Sequence, residues 1–455
     1  MSMQDVDTGN DQTSVMPQRV ASAADRGITS WLAAVAWCFA FAFAFWGSLL
    51  IDIPFRNRWL PVLVIAFLVI ISRLRLFLPM APYINKGMIL MLLWAVASAA
   101  WAPSAVFVVT QSISAIGVSM MALAFVLAGW YPERFERLMA ITIAVLLVMS
   151  LVVAITMPEI GVHSGTDVSL LNSWRGVTFQ KNGLGQLASV GVILFTFLWA
   201  SGRIRTLWAI SGLLLSLFMV LKSRSSTSLM LALISCMGVV MILRPQLAIG
   251  WLGRRITMTF LIVALPLGIY LAVATPYIGF IGGYFGKDAT FSGRTLIWQA
   301  ILDEVATRPL QGSGLSSFWN GASAGEARVQ FKSQWKVSNG HNGYIDILNE
   351  LGLVGLFMFL GFIVIHSLGL AKLARISREH YALHMPLFIY LLLANVSESG
   401  WMFLIAPTHL IGMYTSLEVS RLVFADAVNR AQDRWAAHSR RGTDLIGDDR
   451  RSSAS

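Results

Sequence analysis

The sequence predicts an all-α polytopic membrane protein of about twelve transmembrane helices, with one large outer loop that carries short amphipathic helices. Three observations predict it. First, 56% of the 455 residues are hydrophobic and only 13% are charged, about half the charged share of a soluble protein. Second, the apolar residues gather in runs close to the ~20 residues that cross about 30 Å of hydrocarbon. Third, the chain carries a net charge of +11, and its excess Lys and Arg falls mainly in alternate inter-run segments. That asymmetry is the pattern of cytoplasmic loops, so the partner implied by the charge is a lipid bilayer and not nucleic acid.

The elements follow in order. Residues 1–27 are polar, with the composition of a disordered tail. The first apolar run, 28–51, exceeds the 7–15 residues of a signal-peptide core and reads as a retained span. Further runs occupy 59–71, 87–102, 105–130, 138–157, 183–200, 207–221, 227–243 and 256–274. After a long polar interval come 353–370, 385–397 and 402–419. Cys38 and Cys236 each sit inside an apolar run, where neither a disulfide framework nor a metal cage fits.

An even number of spans puts both termini on one side. With a cytoplasmic N-terminus, about two-thirds of the 34 basic residues fall on inner segments, as the positive-inside rule requires. The resulting organisation is a cytoplasmic tail (1–27), nine spans (28–274), a periplasmic loop (275–342), three spans (343–424) and a basic cytoplasmic tail (425–455), also polar enough to be disordered. In the loop, Ser292 can cap a helix that Pro309 ends. Arg294, Trp298, Ile301 and Val305 share one face of it, which can lie along the membrane with Arg294 at headgroup depth.

Outward basic residues cluster around one histidine. Trp174-Arg175-Gly176 leads through Lys181 and Asn182 into a span. Ser223-Arg224-Ser225-Ser226-Thr227-Ser228 joins two spans. Gly293-Arg294 precedes Trp298 and then Pro309-Leu310-Gln311-Gly312-Ser313-Gly314. Last come His341-Asn342-Gly343-Tyr344 and Glu350-Leu351-Gly352. Guanidinium forks bind phosphate oxygens bidentately, and a neutral histidine can take a hydroxyl proton. Glu398, at the outer end of a span, is a functional candidate by depth alone; pairing with an arginine and direct catalysis both stand open.

In this order the motifs resemble the bacterial O-antigen ligase and polysaccharide polymerase superfamily, nearest to exopolysaccharide polymerases of the ExoQ type. Leu93-Trp94-Ala95-Val96-Ala97-Ser98, with Trp101 and Pro103, fits the same subgroup. The resemblance implies a glycosyltransferase of the bacterial inner membrane with its active site facing the periplasm. It would transfer a glycan from undecaprenyl diphosphate to an acceptor sugar hydroxyl, without nucleotide sugar, metal or other cofactor. His341 would be the catalytic base, and Arg175, Arg294, Arg224 and Lys181 the diphosphate ligands. Glu398, Asn342 and Tyr344 would support them. Polymerisation of exopolysaccharide repeat units is the reading favoured, with export or chain-length-control proteins as possible partners. Ligation to lipid A-core is the alternative.

Each residue also has a plainer account. Outward arginines anchor headgroups, Ser-Arg-Ser can be a loop bonding its own backbone, and His163 matches no motif. Gly352 and Gly355 can serve close helix packing. The only Asp-x-Asp, Asp5–Asp7, lies in the N-terminal tail. A glycolipid transporter is a rival class, but the two halves do not repeat and the polar residues gather on one face.

Overall fold

The computed structural model describes residues 55–128, 132–164, 170–178, 180–245, 294–321, 323–334, 336–400 and 407–452, with residues 32 and 35 singly. Among them the fold is all-helical, the one β contact being an isolated bridge between Val162 and Trp174. We number the principal helices α1 (Phe55–Ser72), α2 (Leu74–Met80), α3 (Lys86–Ala97), α4 (Ala105–Ala128), α5 (Pro132–Thr156), α6 (Pro158–Gly161), α7 (Lys181–Ser201), α8 (Thr206–Ser223) and α9 (Ser226–Leu243). There follow α10 (Arg294–Val305), α11 (Ala324–Ser333), α12 (Gly343–Ile376), α13 (Arg378–Ser397) and α14 (Pro407–Ser452).

Six of the described helices are long and apolar enough to cross a membrane: α4, α5, α7, α8, α9 and α12. A seventh span arises if Leu63–Ser72 and Leu74–Tyr83, bent by 83°, count as one. The expected run 256–274 lies outside the described residues, as does 28–51 apart from residues 32 and 35. The run 87–102 forms a 12-residue helix and a 3-10 turn, shorter than a bilayer needs. α13 contains the expected span 385–397 and α14 holds 407–419 of the last one, whose first residues lie outside the described ones.

The best-packed helix is α7, which lies against α5, α8, α9 and α13. Small residues set the spacing: a Cβ on Gly185 would stand 2.7 Å from Ser228 Oγ, so α7 and α9 touch almost backbone to backbone. Gly202 ends α7 in the left-handed conformation, a common helix terminator.

α12 is broken at Gly352, where φ is 68° and ψ −171°. Backbone groups freed by the break are taken up by the Pro309–Gly314 loop. Leu353 and Val354 N–H donate to the Pro309 and Leu310 carbonyls at 2.8 and 3.2 Å, while Ser313 and Gly314 N–H donate to the Asn349 and Glu350 carbonyls at 3.0 and 2.8 Å. The indoles of Trp94 and Trp101 donate to the Leu351 and Gln311 carbonyls. Three separate sequence motifs are therefore one structural splice. Gly352 serves a backbone break, and the close approach it permits is to the Pro309–Gly314 loop and not to another helix, the Leu310 carbonyl oxygen lying 2.1 Å from where a Cβ would stand.

Two further expectations are corrected. The apolar face of α10 does not lie on a membrane surface. Ile297, Ile301 and Val305 are buried with Phe318, Val329 and Val337 in a small core of their own, beside the buried Trp298. A sequence shows that a face is apolar but not what covers it. Ser292 lies outside the described residues. The 425–455 tail is not irregular either: α14 continues to Ser452, supported by helix-forming Ala and Arg residues and an Asp426–Arg430 ion pair one turn apart.

Candidate active site

The site is assembled around the buried carboxylate of Asp346, in the first turn of α12. It accepts the Gly340 N–H at 3.0 and 3.1 Å, the Trp319 indole N–H at 3.0 Å and the Ser399 hydroxyl. Trp298 Nε1 donates to the Gly340 carbonyl at 2.7 Å. One buried acceptor thus ties the segment before α12 to the segment after α13. His341 and Glu398 are the immediate neighbours of the tied residues.

His341 Nδ1 lies 3.2 Å from Glu398 Oε2. The other carboxylate oxygen, Oε1, accepts from Arg294 Nη2 at 2.8 Å and from Asn182 Nδ2 at 2.6 Å. Arg294 Nη1 donates to the Ser397 carbonyl. The side chains of His341, Arg294 and Glu398 are 13%, 20% and 20% exposed, half-sheltered but within reach of a ligand. Burial alone would raise the Glu398 carboxyl, but the His341 hydrogen bond and the Arg294 charge outweigh it and hold the group below its ordinary 4.5. His341 itself has φ of +50°, a left-handed conformation that costs a non-glycine residue energy and clusters at functional sites. Its N–H bonds to Asn339 Oδ1 at 2.9 Å.

Asn342 and Tyr344 hold this geometry from behind. Asn342 caps α12, its side chain accepting the N–H groups of Tyr344 and Ile345 at 3.0 and 3.3 Å. The Tyr344 hydroxyl donates to the Leu392 carbonyl at 2.9 Å, joining α12 to α13.

The other cations sit on a rim formed by two loops. Trp174 N–H donates to the Lys222 carbonyl at 3.0 Å, and the Lys222 ammonium lies 5.2 Å from the Trp174 ring centroid. Arg224, itself left-handed at φ 51°, sends Nη1 to the Leu171 carbonyl at 3.2 Å. Arg175 bonds through Nε to the Ile160 carbonyl at 2.7 Å and through Nη2 to the Glu159 carbonyl at 3.3 Å. His163 connects rim to centre, its Nε2 accepting the Lys181 N–H at 3.2 Å. Lys181 is the residue before Asn182, whose amide touches Glu398. The structure therefore joins His341, Arg294 and Glu398 directly, ties Lys181 to the cluster only through its backbone and its neighbour Asn182, and holds Arg175 and Arg224 on backbone carbonyls of the rim.

Sequence reasoning missed Asp346, Ser399 and the role of Asn182. Asn182 had stood only as a landmark downstream of Arg175. Asp346, four residues before Glu350 in an otherwise apolar helix, was a signal that could have been read. Among the described residues no three His, Cys, Asp or Glu side chains are grouped so as to ligate a metal ion.

Comparison with known proteins adds two findings. A family model described as O-antigen ligase matches residues 211–360. That segment contains Arg224, Arg294, His341 and the break at Gly352, and leaves Arg175, Lys181 and Glu398 outside. The exopolysaccharide production protein ExoQ of Rhizobium meliloti (strain 1021) is 32% identical over 212 residues, which is 44% of this chain and 47% of that protein. The chain thus spans about half the length of this curated relative in the match. Both findings support the O-antigen ligase and polysaccharide polymerase family, in an ExoQ-like form.

Proposed function

We propose that this multi-pass membrane protein of ExoQ-like character transfers a glycan from a polyprenyl-diphosphate carrier to a sugar hydroxyl, polymerising exopolysaccharide repeat units. The observation that carries this reading is the single carboxylate of Glu398, shared by His341 on one oxygen and by Arg294 on the other. With Nδ1–H directed at Glu398, Nε2 is the nitrogen that accepts a proton. His341 takes the proton of the acceptor hydroxyl as its oxygen attacks the anomeric carbon. The bond from that carbon to the diphosphate oxygen breaks, and undecaprenyl diphosphate leaves. Glu398 stabilises the imidazolium, and the proton passes to solvent afterwards.

Negative charge grows on the leaving diphosphate. Arg294 has five N–H groups and engages two of them with the described residues, so others can meet a phosphate oxygen as charge develops. Lys181, at the start of α7 one residue before Asn182, can add a further cation, and Arg175 and Arg224 form a rim along which an anionic headgroup can approach. The Lys and Arg asymmetry supports an inner-membrane protein with this site facing the periplasm. Neither a metal nor a nucleotide sugar enters the scheme.

A second reading, ligation of finished chains to lipid A-core, is favoured by the description of the family model; the exopolysaccharide role of the ExoQ relative favours the first. Deleting the gene separates them. Single repeat units accumulating on carrier lipid would establish the polymerase. Long chains stranded on carrier lipid would establish the ligase. Wild-type polymer at wild-type length would overturn both.

A further inference from the structure

His163 belongs to no motif of the sequence and takes no part in the transfer scheme, yet its ring reaches a helix on which the site depends. α12 and α13 begin with caps of their own, the side chains of Asn342 and Ser377. α7 does not. Gln180 makes no side-chain cap bond, and the Lys181 N–H is met instead by His163 Nε2, 18 residues earlier in the chain, at 3.2 Å. We infer that His163 is a positioning residue for glycosyl transfer, holding the first turn of α7 so that the Asn182 amide meets Glu398. The part played in transfer rests on the reading above, whereas the cap rests on geometry alone.

Both ends of this bond are fixed. His163 sits in a short antiparallel pairing, its N–H donating to the Ser173 carbonyl at 2.9 Å and its carbonyl accepting the Asn172 N–H at 3.1 Å, with Val162 bridged to Trp174 alongside. The pairing is anchored at its base, where the Gly161 carbonyl accepts the N–H groups of Arg175 and Gly176, each at 2.9 Å. Gly176, at φ 55°, lies so close to α5 that a Cβ there would overlap the Ser150 side chain. On the other side, the residue after Lys181 is Asn182, whose Nδ2 donates to Glu398 Oε1 at 2.6 Å. The same oxygen accepts from Arg294 at 2.8 Å. The first N–H groups of a helix have no partner within it, and a first turn left uncapped frays. Fraying would withdraw the Asn182 amide, leave Oε1 to Arg294 alone and free the carboxylate to turn from His341 Nδ1. His163 needs no contact with either substrate for this.

The test uses full-length protein in lipid nanodiscs, with lipid-linked donor and glycan acceptor varied separately. His163→Ala removes the acceptor of the cap, while His163→Gln keeps one, its amide oxygen standing in for Nε2. His163→Ala should lower kcat by about 3- to 10-fold, the loss of one neutral hydrogen bond, with both KM values within about twofold. His163→Gln should bring kcat back to within about twofold of wild type. Lys181→Pro deletes the same bond from the donor's side, at a first helical position that tolerates proline. Measured against Lys181→Ala, which lacks the same ammonium, it should show the same loss. In an Asn182→Ala background His163→Ala should cost nothing further, because its effect passes through that amide. Amide hydrogen exchange in the first turn of α7 should quicken in His163→Ala and not in His163→Gln. Wild-type kcat in both His163→Ala and Lys181→Pro, or a His163→Ala loss that adds in full to that of Asn182→Ala, would overturn the inference and leave the transfer reading intact. Quickened exchange in His163→Ala, in a protein whose His341→Ala variant still transfers at the full rate, would keep the cap and overturn the transfer reading instead.

Discussion

α7 and α13 carry a guanidinium–carboxylate cluster at each end, and the two clusters are built on opposite plans. At the Arg203 end one arginine meets three carboxylates: Glu379 at 2.7 Å, Glu136 at 2.8 Å and Glu133 at 3.6 Å. Beside it, Glu418 and Arg421 form an ion pair that is 2% and 0% exposed. Helix α13 starts there with a regular serine cap, Ser377 accepting the His380 N–H. At the Asn182 end one carboxylate, Glu398, is divided among an arginine, a histidine and an amide drawn from three segments, with the histidine in a left-handed conformation. Surplus acid around one cation closes a site. Surplus donors around one acid leave a site able to take an anion and a proton, and the strain is tolerated where that ability matters.

The comparison breaks most sharply under His341→Ala. Transfer should fall by about 10²–10⁴-fold, the usual contribution of a general base, while thermal unfolding of the purified protein stays at the wild-type temperature. Turnover at a third or more of wild type would demote His341 to a positioning residue and leave the chemistry to the cations. Arg294→Lys is the next largest effect. It keeps the charge but loses the planar fork that meets Glu398 and the Ser397 carbonyl together, so about 10²-fold in kcat should go, near the loss of a transition-state donor. A near-normal rate at equal protein level would make Arg294 a membrane anchor.

Arg421→Met probes the other end and should show the inverse pattern. Glu418 would be left buried and unpaired, at a cost on the order of 3–5 kcal/mol. Yield and thermal stability should drop markedly, while the rate per folded molecule stays within about threefold. A folded, stable variant with a lost rate would show that the two ends are coupled and that their division into lock and active site is wrong.

Sequence and structure agree where the signal is local or repeated. Apolar run length announced membrane helices, the order of short motifs pointed to His341 and Arg294, and depth at a span end pointed to Glu398; these three side chains do converge. What stayed hidden depends on pairing across long separations. Asn182 and Glu398 are 216 residues apart and Arg294 and Glu398 are 104 apart, and no periodicity encodes such a contact. The direction of a side chain was equally hidden: Arg224 and the hydroxyls around it were read as one motif, yet the arginine leaves toward Leu171 while the hydroxyls turn inward. The Pro-x-x-Gly-x-Gly motif looked like part of the chemistry because it travels with it. Its work is to satisfy the broken backbone of α12.

The smallest expected effect concerns acid, and it sharpens the account of Glu398. Its carboxyl is held below 4.5 in the folded protein because His341 and Arg294 favour the ionised form more than burial opposes it. A carboxyl depressed on folding contributes stability that is fully present above its unfolded value and is lost as pH falls through the folded one. The stability difference between wild type and Glu398→Gln should therefore stay constant from pH 7 down to about 5 and begin to narrow below about 4.5. Arg294→Gln should move that narrowing toward higher pH, since one of the two groups favouring ionisation is gone. The measurement is thermal unfolding of wild type, the two single variants and the double variant across this range, in one detergent and at low salt so that the partly exposed pair is not screened. A wild type that gains stability relative to Glu398→Gln as pH falls from 7 to 5 would mean that burial dominates Glu398. Its carboxyl would then hold a proton near neutrality, and it could neither orient His341 Nδ1–H as an acceptor nor stabilise the imidazolium.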